Sequence, residues 1–234
     1  MIKIENLHKQ FSKLKVLDGV SFSTASHGII AVLGPNGSGK TTILKSILGM
    51  VLPDRGEIYF EGKPVLGSWN YRNRIGYLPQ IARFPDNLTV QELIDMIKNL
   101  RDVKANEKEL IKRFGLGDSL SKKLSNLSGG TKQKVNIVLT FMFDAPLLIL
   151  DEPTAGLDPV ALIQLKELIK EERAKGKTLL ITTHIMSLVE ELSDEIIFLL
   201  EGKIYFQGTV EALQEQTQQS NLEYSIAKIL ERDV

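Results

Sequence analysis

"GIIAVLGPNGSGKTTILKSILGM", residues 28–50, decides the fold. Residues 28–33 are a continuous apolar run bounded by glycines, the pattern of a buried strand. Residues 40–50 repeat their apolar side chains at helical spacing. The glycine-rich turn between them fits G-x-x-x-x-G-K-[ST] at Gly34, Gly39, Lys40 and Thr41. Such a turn can also be a plain connection. The strand before it and the helix after it are what give the pattern its chemical meaning. Glycines let backbone N–H groups converge on phosphate oxygens where a side chain would block them. The helix N-terminus adds its partial positive charge. Gly34, Pro35, Asn36, Gly37, Ser38, Gly39, Lys40, Thr41 and Thr42 therefore read as one phosphate cradle. In it Lys40 reaches the β- and γ-phosphates, the Thr41 hydroxyl ligates Mg²⁺, and Thr42 reaches an α-phosphate oxygen.

Outward from this unit the chain alternates strands and helices, which implies an α/β fold with a mainly parallel sheet. "MIKIENL" and "VLDGVSFSTA" precede it as short antiparallel strands, and "GEIYF" and "RIGYLPQ" (74–80) are further strands interrupted by turns. From Leu88 to about Phe143 the texture becomes helical, with Thr89 and Asn106 as N-caps and Gly115 as a stop. "PLLILDEP", "TLLITTH" and the hairpin "EIIFLLEGKIYFQG" (195–208) then resume the sheet, with helices at 159–176 and 185–194 between them. The expectation is a single domain over 1–234. Its core comprises residues 1–87 and 144–208, with a helical subdomain inserted at 88–143 and a polar helical tail at 209–234.

Composition excludes several functions. Lys+Arg and Asp+Glu both number 29, so no global basic field supports nucleic-acid binding. Cysteine is absent, which removes disulfides and thiolate-bound metals and fits a reducing compartment. No apolar run approaches the roughly 18 residues of a membrane span, and "MIKIENLHKQ" has no secretory signature. Any service to a membrane would go through docking on another chain.

"LLILDEP" (147–153) puts two acids at the end of an apolar strand. Strand C-termini line the ligand crevice in doubly wound sheets. Asp151 would hold Mg²⁺ through its hydration shell, and Glu152 would polarise a water for attack on the γ-phosphate. A solvated acidic turn is the plain alternative. His184 after "LLITT" either donates to the γ-phosphate or orients that water, or is structural. Gln80 binds metal or water through an uncharged amide, or is an ordinary loop residue. Phe11 stacks on an adenine ring, or belongs to the core.

A second cradle follows the first by about ninety residues. In "LSNLSGGTKQKV" (124–135), Ser128 is an N-cap and Gly129 and Gly130 leave room for an anion. The triplet alone is common, but its order among the other motifs is not. "GPNGSGKTT", "LPQ", "LSGG", "LLILDEPTAGLD" and "TTH" in register resemble the ATP-binding cassette (ABC) ATPases, over a stretch from the Phe11 region to about Gly208. The resemblance implies a P-loop NTPase, RecA-like core, with ATP and Mg²⁺ as cofactors. It implies Gln80 as the Q-loop glutamine and metal ligand beside Thr41 and Asp151. Ser128, Gly129 and Gly130 would be the signature, Ala155–Asp158 the D-loop, Glu152 the catalytic base and His184 the switch histidine. One departure is Thr131, where the family usually carries glutamine. It is expected to weaken contacts at the rim and to leave the Ser128 hydroxyl untouched.

The resemblance also implies a use for two cradles. Two copies pack head-to-tail, so that loop 34–42 of one and residues 128–130 of the other close on a single ATP, and hydrolysis reopens them. The leading expectation is the ATPase subunit of a transporter, peripheral on the cytoplasmic face of the membrane. Its membrane-spanning permeases would be separate chains docked at Ile81, Phe84 and Leu88, residues that would otherwise be ordinary core. The alternatives are a soluble assembly scaffold of the iron–sulfur type and a non-hydrolysing binding module. Locally, "YRNRIGYLPQIARFPDNLTVQELI" is similar to the ATPases of transporters that mature the copper enzyme nitrous-oxide reductase.

Overall fold

The computed structural model describes residues 1–101 and 103–232. Position 102 of the expected helical subdomain and positions 233–234 of the tail lie outside the described residues. The chain forms two compact units, Met1–Tyr71 with Thr178–Val234, and Arg72–Lys177.

In the first unit, β1 (Ile2–Phe11) and β2 (Leu14–Ser23) form a long antiparallel pair, and β4 (Arg55–Phe60) and the short β5 (Lys63–Pro64) extend it to a four-stranded sheet. Both β1 and β2 are ten residues long; β1 runs past the sequence reading to Phe11, and β2 begins two residues before it. Register shifts along β1 bring Ile4, Leu7, Val20 and Phe22 into the interior. β3 (Gly28–Leu33) is buried at every residue, as a strand covered on both faces must be. It runs parallel to β8 (Thr178–Thr182) and to β9 (Glu195–Leu200), pairing Ile30 with Leu180 and Val32 with Ile197. β9 returns as β10 (Lys203–Gly208) through Glu201 and Gly202, both at positive φ (46° and 74°), as a tight two-residue hairpin requires. The helix α1 (Lys40–Ile47) follows β3 directly after the glycine-rich loop.

The tail is part of this core. In α7 (Val210–Thr217) and α8 (Leu222–Arg232), Val210, Leu213, Leu222, Ile226 and Ile229 are buried against Ala31, Leu33, Ile196 and Phe198 and against Val189 of α6 (Met186–Leu192). Thr217 and Ser225 are buried as well and bond to each other at 2.9 Å, so a mostly polar segment still contributes an apolar stripe.

The second unit is built on β6 (Ile75–Leu78) paired in parallel with β7 (Leu147–Asp151), Tyr77 opposite Ile149. Its helices are α2 (Val90–Arg101), α3 (Glu107–Arg113), α4 (Gly129–Phe141) and α5 (Pro159–Ala174). Thr89 starts α2 with a reciprocal cap: its Oγ1 accepts from Glu92 N at 3.2 Å, and Glu92 Oε2 accepts from Thr89 N at 2.8 Å. Asn106 stands at the N-cap of α3 but does not cap it with its side chain; its Nδ2 donates to Glu109 at 2.7 Å instead. α5 begins with Asp158 accepting from Ala161 N at 2.9 Å and with Pro159 in its first turn. At its other end Glu172 and Lys177, both buried, pair at 2.5 Å.

Candidate functional site

The loop at 34–42 is shaped by its own unit. A Cβ on Gly34 would lie 2.1 Å from the Leu199 carbonyl, and one on Gly39 2.7 Å from Leu17 and 2.8 Å from the Val16 carbonyl. Both positions are therefore closed to side chains by the fold. Gly37 differs, since nothing lies within 4 Å of where its Cβ would be. Pro35, Asn36 and Gly37 are exposed, and Lys40, Thr41 and Thr42 half-buried. Gly39 provides no side-chain cap for α1, so the first-turn N–H groups face the loop without one. Lys40 Nζ donates to the carbonyls of Gly34 at 2.7 Å and Pro35 at 3.0 Å. Ser38 Oγ is buried, with no hydrogen-bond partner among the described residues. A buried hydroxyl without a partner calls for one, and an acceptor from outside the chain would supply it.

Two other residues singled out in the sequence lie in the same unit. Phe11 closes β1 and is 47% exposed, with the Lys9 ammonium 5.2 Å from the ring centroid. It is not core, and a face is available for stacking. His184 is exposed and lies two residues beyond β8, which ends at Thr182. The turn is set by Thr183 Oγ1 accepting from Ile185 N at 3.1 Å.

The second unit carries the remaining residues. Asp151 is 2% exposed at the C-terminus of β7. Glu152 follows at 9% exposure with φ 49°, a left-handed conformation that costs a non-glycine residue about 1 kcal/mol or more. Strain of this kind gathers at functional sites. Tyr77 is pushed up to about 12, first by burial and then by the charge of Asp151. The phenol therefore stays protonated beside the carboxylate. Gln80 is exposed just past β6 and Pro79. Of the three docking residues, Ile81 is 67% exposed, while Phe84 and Leu88 are half-buried.

Ser128 caps α4 as its sequence predicts, accepting from Thr131 N at 3.2 Å. Thr131 does not leave the serine untouched: its Oγ1 lies 2.8 Å from Ser128 Oγ, within hydrogen-bond distance. A threonine is too short for the longer reach of a glutamine, and its hydroxyl meets the cap hydroxyl instead. The two glycines differ in surroundings. Gly129 has open space at its Cβ position, whereas a Cβ on Gly130 would lie 2.7 Å from the Gly156 carbonyl. Residues 128–130 therefore pack their second glycine on the Gly156 turn and leave the first one clear. Lys134 of α4 reinforces that contact by pairing with Asp158 at 2.6 Å. That ion pair, then the Ala161 N–H, holds the Asp158 carboxyl below the usual carboxylate range.

Two residues escape a motif reading. Gln133 and Asn136 are both buried in α4. Gln133 Nε2 donates to the Pro153 carbonyl at 3.0 Å and Asn136 Nδ2 to the Pro79 carbonyl at 3.1 Å. Thr140, one turn on, donates to the Tyr77 carbonyl at 3.1 Å. One face of the signature helix is thereby tied to the residues preceding Gln80 and following Glu152. The signal was a polar stripe at helical spacing, Gln133, Asn136 and Thr140, running on into the apolar C-terminal half of the helix.

Residues 17–155 match the protein family described as ABC transporter. Over 207 residues the chain is 35% identical to the lantibiotic transport ATP-binding protein SrtF of Streptococcus pyogenes, covering 87% of this chain and 89% of that one. It is 36% identical over 220 residues to the Nod factor export ATP-binding protein I of Burkholderia lata, covering 92% and 72%. Among solved structures, the ATP-binding subunit of an ABC transporter superposes with a TM-score of 0.91 at 30% identity, covering 98% of this chain and 99% of that one.

Proposed function

This chain belongs to the ABC transporter ATP-binding proteins and is the ATPase subunit of a transporter, and on that premise we propose how its residues divide the work. Residues 34–42 hold the phosphates, with Lys40 turning from its loop carbonyls to the β- and γ-phosphates and Ser38 gaining its missing partner. Phe11 stacks on the adenine. Thr41, Gln80 and Asp151 hold Mg²⁺. The fit lies in the donor chemistry: a hydroxyl, an amide oxygen and a buried carboxylate are hard ligands, and substrate oxygens and water complete such a shell. Among the described residues no group of three or more His, Cys, Asp or Glu stands where it could hold a metal. When bound, the cation neutralises charge on the phosphates. Glu152 polarises the attacking water, and His184 orients it or donates to the γ-phosphate.

Ser128, Gly129 and Gly130 act on the nucleotide of a second copy, packed head-to-tail, with Ala155–Asp158 beside them. The observation that carries this reading is the clear space at Gly129, at the capped start of α4, where among the described residues nothing lies within 4 Å of a Cβ. ATP then bridges two cradles, and its hydrolysis removes the bridge. Among the described residues no helix is long and apolar enough to cross a membrane. The membrane path is supplied by separate permease chains, with Ile81, Phe84 and Leu88 meeting them on the cytoplasmic face. The two relatives are named for a lantibiotic and a Nod factor, unrelated cargoes served by similar cassettes, so no cargo is assigned.

The test is Glu152→Gln, which should bind ATP, hydrolyse it poorly and double its mass on ATP in light scattering. A variant that stays monomeric at saturating ATP contradicts the head-to-tail site.

A further inference from the structure

Ser128 Oγ has one proton and two lone pairs. One lone pair accepts the Thr131 N–H as the helix cap. The Thr131 hydroxyl lies 2.8 Å away, where either oxygen can donate. The serine is exposed, and the adjacent Gly129 is clear. A phosphate oxygen accepts hydrogen bonds and does not donate them. Once one stands before Ser128, the serine proton must point to it, and the Thr131 hydroxyl is left as donor to the second serine lone pair.

We propose that Thr131 is a positioning residue: its hydroxyl fills the last acceptor of Ser128 and fixes the serine proton outward, toward the γ-phosphate of a partner copy's ATP. The inference rests on the head-to-tail reading above. Its physical basis is preorganisation. With Thr131 as donor both lone pairs are occupied and the serine rotor has one direction left, so the ligand has only the direction of one short hydroxyl pair to set. Donation from Thr131 also polarises the serine O–H and strengthens the bond it makes. A glutamine at this third helical position ordinarily reaches back to the backbone N–H of the cap residue. The threonine here serves the hydroxyl instead, so the departure from the family pattern relocates a bond.

The experiment titrates ATP into the full chain carrying Glu152→Gln and reads the dimer fraction by light scattering. Adding Thr131→Val keeps the shape and removes the hydroxyl. It should raise the ATP concentration at half-dimerisation by about 5- to 10-fold, the worth of one hydrogen bond in the bound state. Thr131→Ser, which restores the hydroxyl, should return it to within about twofold. With Ser128→Ala present, Thr131→Val should shift the midpoint no further, because the two act as one unit. A Thr131→Val midpoint equal to that of its parent overturns the positioning role, whatever happens to its melting temperature. So does an equal shift with and without Ser128. If the Glu152→Gln parent never dimerises on ATP, the head-to-tail reading fails and this inference falls with it. A dimerising parent with an indifferent valine variant removes this inference alone.

Discussion

The two signature glycines should separate stability from function. Gly129 and Gly130 occupy the first two positions of α4. Alanine in place of glycine lowers the entropy of the unfolded chain and favours a helix by about 0.4–1 kcal/mol where its Cβ fits. At Gly129 it fits, since nothing lies within 4 Å of that Cβ. For a chain of this size each kcal/mol moves the melting temperature by about 2–4 °C, so Gly129→Ala should raise Tm by about 1–4 °C. The same methyl stands where an anion would approach the helix N-terminus, and ATP turnover should fall by about tenfold or more, some 1.4 kcal/mol of lost transition-state binding. Gly130→Ala places its Cβ 2.7 Å from a backbone oxygen of Gly156. The segment around Gly156 must move by several tenths of an ångström, an overpacking cost of about 1–3 kcal/mol that lowers Tm by about 2–12 °C. Thermal scans and steady-state ATP hydrolysis on the two variants suffice. A Gly129→Ala protein that hydrolyses ATP at the wild-type rate would refute the assignment of that space to a phosphate.

Gln133→Leu removes the donor to the Pro153 carbonyl in a buried setting. It should cost about 1–3 kcal/mol and lower both Tm and turnover, and an unchanged melting curve would show that the tie to the Glu152 segment carries no energy. Asp158→Asn keeps the cap on Ala161 and loses the charge facing Lys134. The folded carboxyl titrates below its ordinary value of 3.8, so its contribution is complete above that value and disappears as pH falls through the depressed one. The gap between wild type and variant in urea unfolding should be flat from pH 7 to about 5 and narrow below it, and a gap that widens on acidification has the wrong sign.

Legibility in the sequence followed the range of the interactions. The 34–42 loop reads directly because strand, turn and helix start lie in one stretch, and the caps at Ser128 and Thr89 close within three residues. The caps at Asn106 and Ser128 also show the limit. Which neighbour takes a side chain, Glu109 for one and Thr131 for the other, is a matter of rotamer and reach that a cap propensity does not encode. Asn136 finds its acceptor 57 residues away at Pro79, so only the polar stripe hints at it. The apolar stripes of α7 and α8 were hidden by their polar faces until the buried strands β3 and β9 gave them a surface. The transporter reading, rather than the assembly scaffold, is the one the relatives bear out.

The central claim is that one ATP is held by two copies, and mixing two inactive variants tests it most directly. Lys40→Ala spoils the phosphate loop and Ser128→Arg spoils the signature, so each alone has two defective sites in its homodimer. A head-to-tail heterodimer combines the intact loop of one with the intact signature of the other. In an equal mixture half the dimers are mixed, each with one intact site, so ATP hydrolysis should return to about a quarter of the wild-type rate. A mixture no more active than its two parents would place the whole site within one copy and contradict the account.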